Sequence, residues 1–111
     1  MIINRVQLTG NLGSAPEIRT FESGDKFAKF SLATNEKYTN RNGEQMTDTQ
    51  WHHVVAKSKA MVQKVESLEK GSYISVEGRI TNRSYTDKEG NKKYVTEIVA
   101  NDIVVHQKEG E

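Results

Sequence analysis

Three aromatic side chains, Tyr38, Trp51 and Tyr85, lie in segments of the chain that are otherwise polar or basic. The basic side chains interleaved with them are Arg5, Lys57, Lys59, Arg79 and Arg83. A ring held in water can stack on an unpaired nucleobase, which contributes about 1–3 kcal/mol per base, while neighbouring cations follow the phosphates. The alternative is that the rings pack against one another across a sheet. The mixture of rings and cations favours a surface for single-stranded nucleic acid.

The segment between Tyr38 and Trp51 reads TNRNGEQMTDTQ and is almost wholly polar. Its Asn42-Gly43 pair is typical of a turn that needs positive φ, so the chain should reverse there. We expect a long β-hairpin with a polar tip, which reaches along a ligand. The two bounding rings then lie outside the core, where they can receive bases.

His52 and His53 are adjacent in the sequence, and adjacent side chains on a strand point to opposite faces. They therefore cannot chelate one ion together, and the sequence predicts no metal site. Strand parity puts His52 with Val54 on the inward side, where we expect a structural histidine or one at a subunit interface. His53 shares the other face with Trp51, and the pattern leaves open whether it contacts a ligand.

The composition limits the class of protein. The 111 residues carry 16 Lys and Arg against 15 Asp and Glu, so a nucleic-acid partner would need the cations gathered on one face. There is no cysteine, which excludes disulfides, thiolate catalysis and the usual zinc ribbons. No apolar run approaches membrane-spanning length, and the start MIINRVQLTG lacks the features of a signal peptide. We expect a cytoplasmic, nucleoid-associated protein with no membrane partner.

No arrangement of residues indicates catalysis. The acidic residues fall in turns and beside lysines, and no motif for nucleotide hydrolysis or dinucleotide binding occurs. We therefore expect no enzymatic activity and no cofactor. Gly10-Asn11-Leu12-Gly13 has the GxxG form of a nucleotide clamp, but no helix follows it. We interpret both glycines as turn residues at the end of a strand.

Hydrophobic periodicity predicts five strands and one helix. The strands fall within residues 2–12, 26–38, 47–57, 73–85 and 93–105, and the helix within 58–68. Pro16 should prevent the first strand from continuing. In the second strand Phe27 is out of step with Phe30 and Leu32, which predicts a bulge or a tight coil. The fourth strand should have an apolar inward face as far as Ile80.

Three strands, a helix and two strands are the element order of the OB-fold, a small Greek-key barrel. The predicted fold class is therefore all-β: a five-stranded barrel with one helix between strands 3 and 4 and long β-hairpin arms. Residues 1–106 should form this single domain, and residues 107–111 a short charged end. Barrels of this type bind oligonucleotides on one strand face and with long loops.

Four stretches resemble a bacterial single-stranded DNA-binding protein, and they extend over nearly the whole chain. They are NRVQLTGNLGSAPEIR, FSLATNEKY, TQWHHVVAKSKAMVQKVESLEKGSYISVEGRI and SYTDKEGNKKYVTEIVAND. The resemblance implies binding and protection of single-stranded DNA in replication, recombination and repair, without strong sequence preference. It also implies a homotetramer around which the DNA wraps.

The resemblance assigns roles residue by residue. The family's base-stacking positions are occupied by Trp51, Tyr38 and Tyr85. Its basic positions along the DNA path are occupied by Arg5, Lys59 and Lys70. Strand parity adds, as further contacts to the DNA backbone, His53, Lys57, Arg79 and Arg83. The position of His52 lies near a subunit contact in the family.

Two departures from the family pattern limit these assignments. Lys57 stands where the family commonly has a further stacking phenylalanine, so we expect a larger electrostatic share of binding and steeper weakening by salt. Family members usually continue through a flexible linker to an acidic tip that recruits replication and repair enzymes, whereas this chain ends in HQKEGE. Either this sequence is a trimmed core, or this member does not recruit partners in that way.

Two alternatives of other kinds stay open. A dimeric primosomal protein of the same fold, which serves as a helicase-loading accessory, is also short and tailless, but three aromatics on the DNA face fit it less well. A protein-interaction barrel that has lost nucleic-acid binding is the other alternative. Isolated exposed rings argue against it, because they would invite association. The sequence does not separate a dimer from a tetramer.

Overall fold

Residues 3–106 are described by the computed structural model, and they form six strands and one helix. In chain order these are β1 Val6–Leu12, β2 Glu17–Thr20, β3 Lys26–Thr39, β4 Gln45–Ala56, α1 Lys59–Glu66, β5 Tyr73–Thr86 and β6 Lys92–His106. The charged end predicted for residues 107–111 lies outside the described residues. No helix within residues 3–106 has the length and apolar character needed to cross a membrane.

Five strands form a closed barrel in the order β1-β5-β6-β4-β3, and β3 pairs back to β1. Within this ring β4 and β6 run parallel and the other neighbours are antiparallel. The ring closes where Asn11 pairs with Ala33. The β3–β4 and β5–β6 pairs continue as long hairpins, to Thr39–Gln45 and Thr86–Lys92 respectively. The predicted OB-fold with two hairpin arms is therefore confirmed.

A short sixth strand, β2, was not predicted from the sequence. Pro16 ends the turn after β1, and the chain then pairs with the outer edge of β3 from Glu17–Lys29 to Thr20–Lys26. Proline is tolerated immediately before or at the start of an edge strand because no ladder partner needs its missing N–H. Pro16 therefore prevents β1 from continuing, as expected, and yet a new edge strand begins directly after it.

The core lies inside the barrel, where alternate strand residues point inward. Its largest fully buried side chains are Leu32, Val54, Val65, Ile74, Val76 and Ile103. Burying a side chain of this size contributes about 1.5–3 kcal/mol, which makes the barrel interior the main source of stability. The two hairpin arms beyond the barrel have few buried residues. They are held chiefly by their own cross-strand pairing.

The helix α1 packs against the barrel with one apolar face. The hydroxyl of Ser58 accepts a hydrogen bond from the backbone N–H of Met61 at 3.2 Å and so caps the first turn. Met61, Val62 and Val65 are buried in the core cluster. The helix ends before Leu68, whose side chain is nevertheless buried in the same cluster. The helix predicted within residues 58–68 is confirmed, with a shorter helical part.

Two predictions about strand faces are wrong. The β3–β4 register runs without a shift from Ala28 onward, so β3 has no bulge there, and Phe27 is out of step because it faces away from the core. The bulge lies instead in the β5–β6 pair, at Glu77 and Gly78. Ile80, expected inward, is exposed because β5 has reached the rim of the barrel beyond that point.

Candidate nucleic-acid interface

A groove runs over the outer face of β4, where alternate residues point away from the core. Trp51, His53 and Val55 lie on this face, and Lys57 follows directly after the strand. The groove consists of two adjoining clefts of about 910 and 630 Å³, and together they form what we term the outer groove. Both clefts are lined by Lys29, Val55, Arg83 and Glu97.

Trp51 is 58% exposed, and its indole rests on Gly13. A Cβ built on Gly13 would overlap Cζ3 of the ring, so only glycine leaves room for the indole in this position. Gly13 was missed as a site residue by the sequence reasoning. Its place in the site depends on a contact between the residue that follows β1 and a side chain on β4, which no local pattern reveals.

The interpretation of Gly10 as a strand-end turn residue is wrong. Gly10 lies inside β1, and a Cβ there would overlap the carbonyl group of Ala33 across the seam that closes the barrel. The positive-φ glycines of the described chain do not include Gly10 or Gly13. Both glycines are needed for close approach, Gly10 to a backbone and Gly13 to a ring.

Tyr85 is 48% exposed and stands on the β5–β6 arm, opposite Lys93. It lines the smaller cleft of the outer groove together with His53 and Val95. A ring from one strand pair and a histidine from another thus lie at the same cleft. The alternative in which His53 faces a ligand surface is the one that this arrangement favours.

Tyr38 is also exposed, at 51%, but it does not share a face with Trp51. In the β3–β4 register Trp51 is opposite Ala33, whereas Tyr38, five residues farther along β3, is opposite Met46. An odd separation on a strand reverses the face. The expectation that all three rings occupy one polar face is therefore wrong for Tyr38, which lies on the other side of the arm.

Arg83 and Glu97 form a two-point ion pair at the centre of the outer groove. Arg83 donates from Nε to Glu97 Oε1 at 2.8 Å and from Nη2 to Oε2 at 3.3 Å. Glu97 is only 9% exposed, and the hydrogen bond with its carboxylate, then its charge, raises the pKa of Arg83 above the ordinary arginine value. The sequence reasoning missed Glu97. Arg83 reaches the groove with part of its charge already neutralised.

Lys57 and Lys59 line the larger cleft, and within residues 3–106 neither takes part in an ion pair. Lys29, which was not predicted, lines both clefts and lies 3.6 Å from Glu17. Glu17 accepts hydrogen bonds from Arg19, and these lower the pKa of its carboxyl group. Lys57 and Lys59 are therefore the predicted groove cations that are available to a phosphate.

Arg5 and Lys70 lie away from the outer groove, and Arg79 lines neither of its clefts. Arg5 pairs with Glu77 at 2.7 Å, near the β1–β5 pair, and Lys70 is exposed in the turn between α1 and β5. Arg79 on β5 is opposite Val99 of β6, which pairs with the groove residue Val55, so Arg79 lies on the same outer face as Arg83 and Tyr85. Arg5 and Lys70 are not brought together with this surface. If they contact DNA, they do so along its path outside the groove.

His52 faces the inward side of β4, as predicted from parity, because its register partner is the buried Leu32. Its Nε2 lies 2.9 Å from the hydroxyl of Thr34, and the ring is half-buried. Among residues 3–106 no group of three or more His, Asp or Glu side chains could hold a metal ion. His52 is thus a hydrogen-bonded structural histidine within the chain, and its role at a subunit contact stays a prediction.

An OB-fold barrel with exposed rings and unpaired cations beside one groove defines an oligonucleotide-binding protein. Residues 3–106 match the sequence model of the single-strand binding protein family. The chain therefore belongs to this family, which confirms the family expected from the resemblance.

Similar proteins come from several organisms. The single-stranded DNA-binding protein 1 of Xylella fastidiosa is 41% identical over 102 residues, which are 91% of this chain and 75% of that protein. The single-stranded DNA-binding protein of Neisseria meningitidis is 37% identical over 103 residues, 93% of this chain and 59% of that protein. The structure of Plasmodium falciparum SSB in complex with ssDNA has a TM-score of 0.88 at 32% identity and covers 96% of this chain and 97% of its own. A deletion mutant of the single-stranded DNA-binding protein from Thermus aquaticus has a TM-score of 0.83 at 29% identity. The match covers 97% of this chain and 52% of that chain.

Proposed function

We propose that this protein binds and protects single-stranded DNA during replication, recombination and repair, without strong sequence preference. Membership in the single-strand binding protein family supports this function. The similarity to Plasmodium falciparum SSB, whose structure contains ssDNA, supports it further. The observation that carries the proposal is the position of Trp51. Its largely exposed indole contacts Gly13 and lies on the same face as the outer groove.

Bases stack on Trp51 and Tyr85, and Tyr38 receives a base on the other side of the β3–β4 arm. Every base has a π-face, so this mode of binding tolerates any sequence. Phosphates pair with Lys57 and Lys59.

Further contacts to the DNA backbone come from His53 in the smaller cleft and from three cations that continue the path outside the groove, Arg5, Lys70 and Arg79. Arg83 contributes with the N–H groups that Glu97 does not occupy, since a guanidinium has five donors.

We also propose that the protein assembles as a homotetramer, with His52 near a subunit contact. One barrel of this size offers a small area for binding, and several barrels on one strand multiply the sites. A dimer is the competing assembly, and it is the one that a helicase-loading accessory would form. Family membership supports self-association in general terms but does not specify the number of subunits.

Titration with oligo-dT tests the proposed function. Trp51 is the only tryptophan in the chain, so stacking on it should quench the intrinsic fluorescence strongly. A duplex of the same length should bind weakly. Sedimentation velocity with and without oligo-dT reports the number of subunits and the stoichiometry in the same samples. Absence of binding to long oligo-dT at low salt would refute the function and favour a protein-interaction barrel.

Lys57→Phe should reduce the salt dependence of binding. The substitution exchanges a phosphate contact for a ring, and each phosphate contact to a single strand contributes about 0.7 to the slope of log affinity against log salt. We expect the slope to become shallower by about that amount. Titrations at several salt concentrations measure it. Lys92→Phe is the control for a changed net charge, because Lys92 lies on the face of the β5–β6 arm opposite to Tyr85, over the ring of Tyr94. Identical slopes for Lys57→Phe and the native protein would show that Lys57 does not contact phosphate.

A further inference from the structure

Phe21 and Phe27 form a stacked pair in the larger cleft of the outer groove. Their ring centroids lie 4.9 Å apart, with 25° between the ring planes. Phe21 follows β2 and is 54% exposed, whereas Phe27 on the outer face of β3 is partly buried. One face of the Phe21 ring is therefore covered by Phe27, and the other face is open to solvent.

A tight turn holds the Phe21 backbone in place. The N–H of Phe21 donates to the carbonyl of Asp25 at 2.7 Å, and the N–H of Gly24 donates to the carbonyl of Phe21 at 2.9 Å. Gly24 has a φ of 92°, a conformation that glycine adopts without steric cost. Because the turn fixes the backbone and the stacking on Phe27 positions the ring, Phe21 loses little further freedom when it binds a ligand.

Cations surround the stacked pair. The basic side chains that line the larger cleft are Arg19, Lys26, Lys29, Lys57, Lys59 and Arg83. The acidic ones are Asp25, Glu66 and Glu97. Arg19, Lys26, Lys29 and Arg83 pair with carboxylates, so the cations of this cleft that are available to a phosphate, among residues 3–106, are Lys57 and Lys59. The cleft thus combines two available lysines with an open ring. These are the two features that bind a nucleotide through its phosphate and its base.

The stacked pair continues the surface proposed for DNA. The two clefts of the outer groove adjoin, because Lys29 and Val55 line both of them. Phe27 and Lys57 lie directly beyond the last pair of the β3–β4 register, Ala28–Ala56, and both line the larger cleft. At about 3.3 Å per strand residue, Lys57 lies roughly 20 Å from Trp51. A DNA strand that leaves Trp51 and follows Lys57 therefore reaches the Phe21 ring.

We propose that Phe21 is a fourth base-stacking platform, which takes a nucleobase of the same DNA strand beyond Lys57. This inference rests on the proposed function. The structural alternative is that Phe21 only shields Phe27 from water, a task that needs apolar cover but no aromatic face. An OB-fold binds about 4–16 nucleotides of a single strand. The Phe21 platform therefore contributes only when the DNA strand is long enough to reach it.

Phe21→Leu tests the platform, because leucine keeps apolar cover over Phe27 and loses the π-face. We expect its affinity for oligo-dT of roughly 16 nucleotides to fall at least about fivefold, and the loss to vanish for the shortest oligomers that bind. Phe21→Tyr should bind every length like the native protein. Tyr94→Leu is the matched control, since Tyr94 is exposed on the β5–β6 arm, on the face opposite to Tyr85. Anisotropy of labelled oligomers measures all four proteins.

Equal affinities of Phe21→Leu and the native protein for the long oligomer overturn the platform. Equal losses in Phe21→Leu and Phe21→Tyr also overturn it, because they assign Phe21 a packing role. Thermal unfolding of both variants separates a loss of stacking from a loss of packing, because only a packing role lowers the melting temperature. In either outcome the proposed function stands as long as the native protein binds oligo-dT and its Trp51 fluorescence is quenched. Failure of the native protein to bind any oligomer refutes the proposed function itself.

Discussion

Trp51→Ala should weaken the binding of oligo-dT by about 1–3 kcal/mol, which corresponds to a roughly 5- to 140-fold lower affinity. The indole is the largest exposed ring of the site, and its contact with Gly13 holds it ready for a base. Because the side chain is outside the core cluster, its loss should leave the barrel intact. Since the variant has no tryptophan, the affinity is measured by anisotropy of a labelled oligo-dT.

Two further variants distinguish stacking from a general loss of surface. Trp51→Phe keeps a smaller ring and should recover part of the lost affinity. Tyr94→Ala removes an exposed ring from the opposite face of the β5–β6 arm and should bind like the native protein. Native-like affinity of Trp51→Ala, with an unchanged melting temperature, would show that bases stack elsewhere.

The exposure of the three rings could be predicted from the sequence, but their relative orientation could not. A ring within a polar segment has no apolar neighbours to bury it, so exposure follows from local composition. Whether Tyr38 and Trp51 share a face depends on which residues pair across the hairpin, and the Asn42-Gly43 turn alone did not determine that register. The observed pairing of Tyr38 with Met46 separates the two rings.

The fold could be predicted wherever burial is one-sided. The barrel strands and α1 show periods of two and of 3.6, because each has a buried face and an open face. β2 is exposed along its whole length, so its four residues carry no alternation that could reveal a strand. Phe27 was misinterpreted for the opposite reason: it is an apolar side chain on the outer face, where the period predicts a polar one.

The electrostatics of the groove were the least predictable part of the site. Arg83 was placed correctly beside Tyr85 on β5, but its partner Glu97 lies on the neighbouring strand, fourteen residues away. Such a pair is set by the register between β5 and β6, which opposes Thr81 to Glu97 and Arg83 to Val95. A cation therefore counts as a phosphate ligand only after its cross-strand neighbours are known.

Gly10→Ala should reduce the stability of the protein, whereas Gly13→Ala should reduce its affinity for DNA, although both glycines belong to one GxxG segment. A Cβ on Gly10 would overlap main-chain atoms of Ala33 at the closing seam of the barrel, where neither strand can move aside easily. Gly10→Ala should therefore lower the free energy of unfolding by about 1–3 kcal/mol. A Cβ on Gly13 would meet only the end of the exposed Trp51 side chain, which can swing away. Gly13→Ala should keep its stability and lose affinity for oligo-dT.

Urea unfolding and oligo-dT titration measure these two quantities separately for each variant. Folded Gly10→Ala should bind like the native protein, because residue 10 lies against the Ala33 carbonyl group and not against the indole. Weaker binding by Gly10→Ala at native stability would instead indicate a backbone clamp of the GxxG type. Native affinity in Gly13→Ala would show that a displaced indole still finds its base. The contact between Gly13 and the indole would then not be needed for binding, and a freely rotating Trp51 ring would be sufficient for stacking.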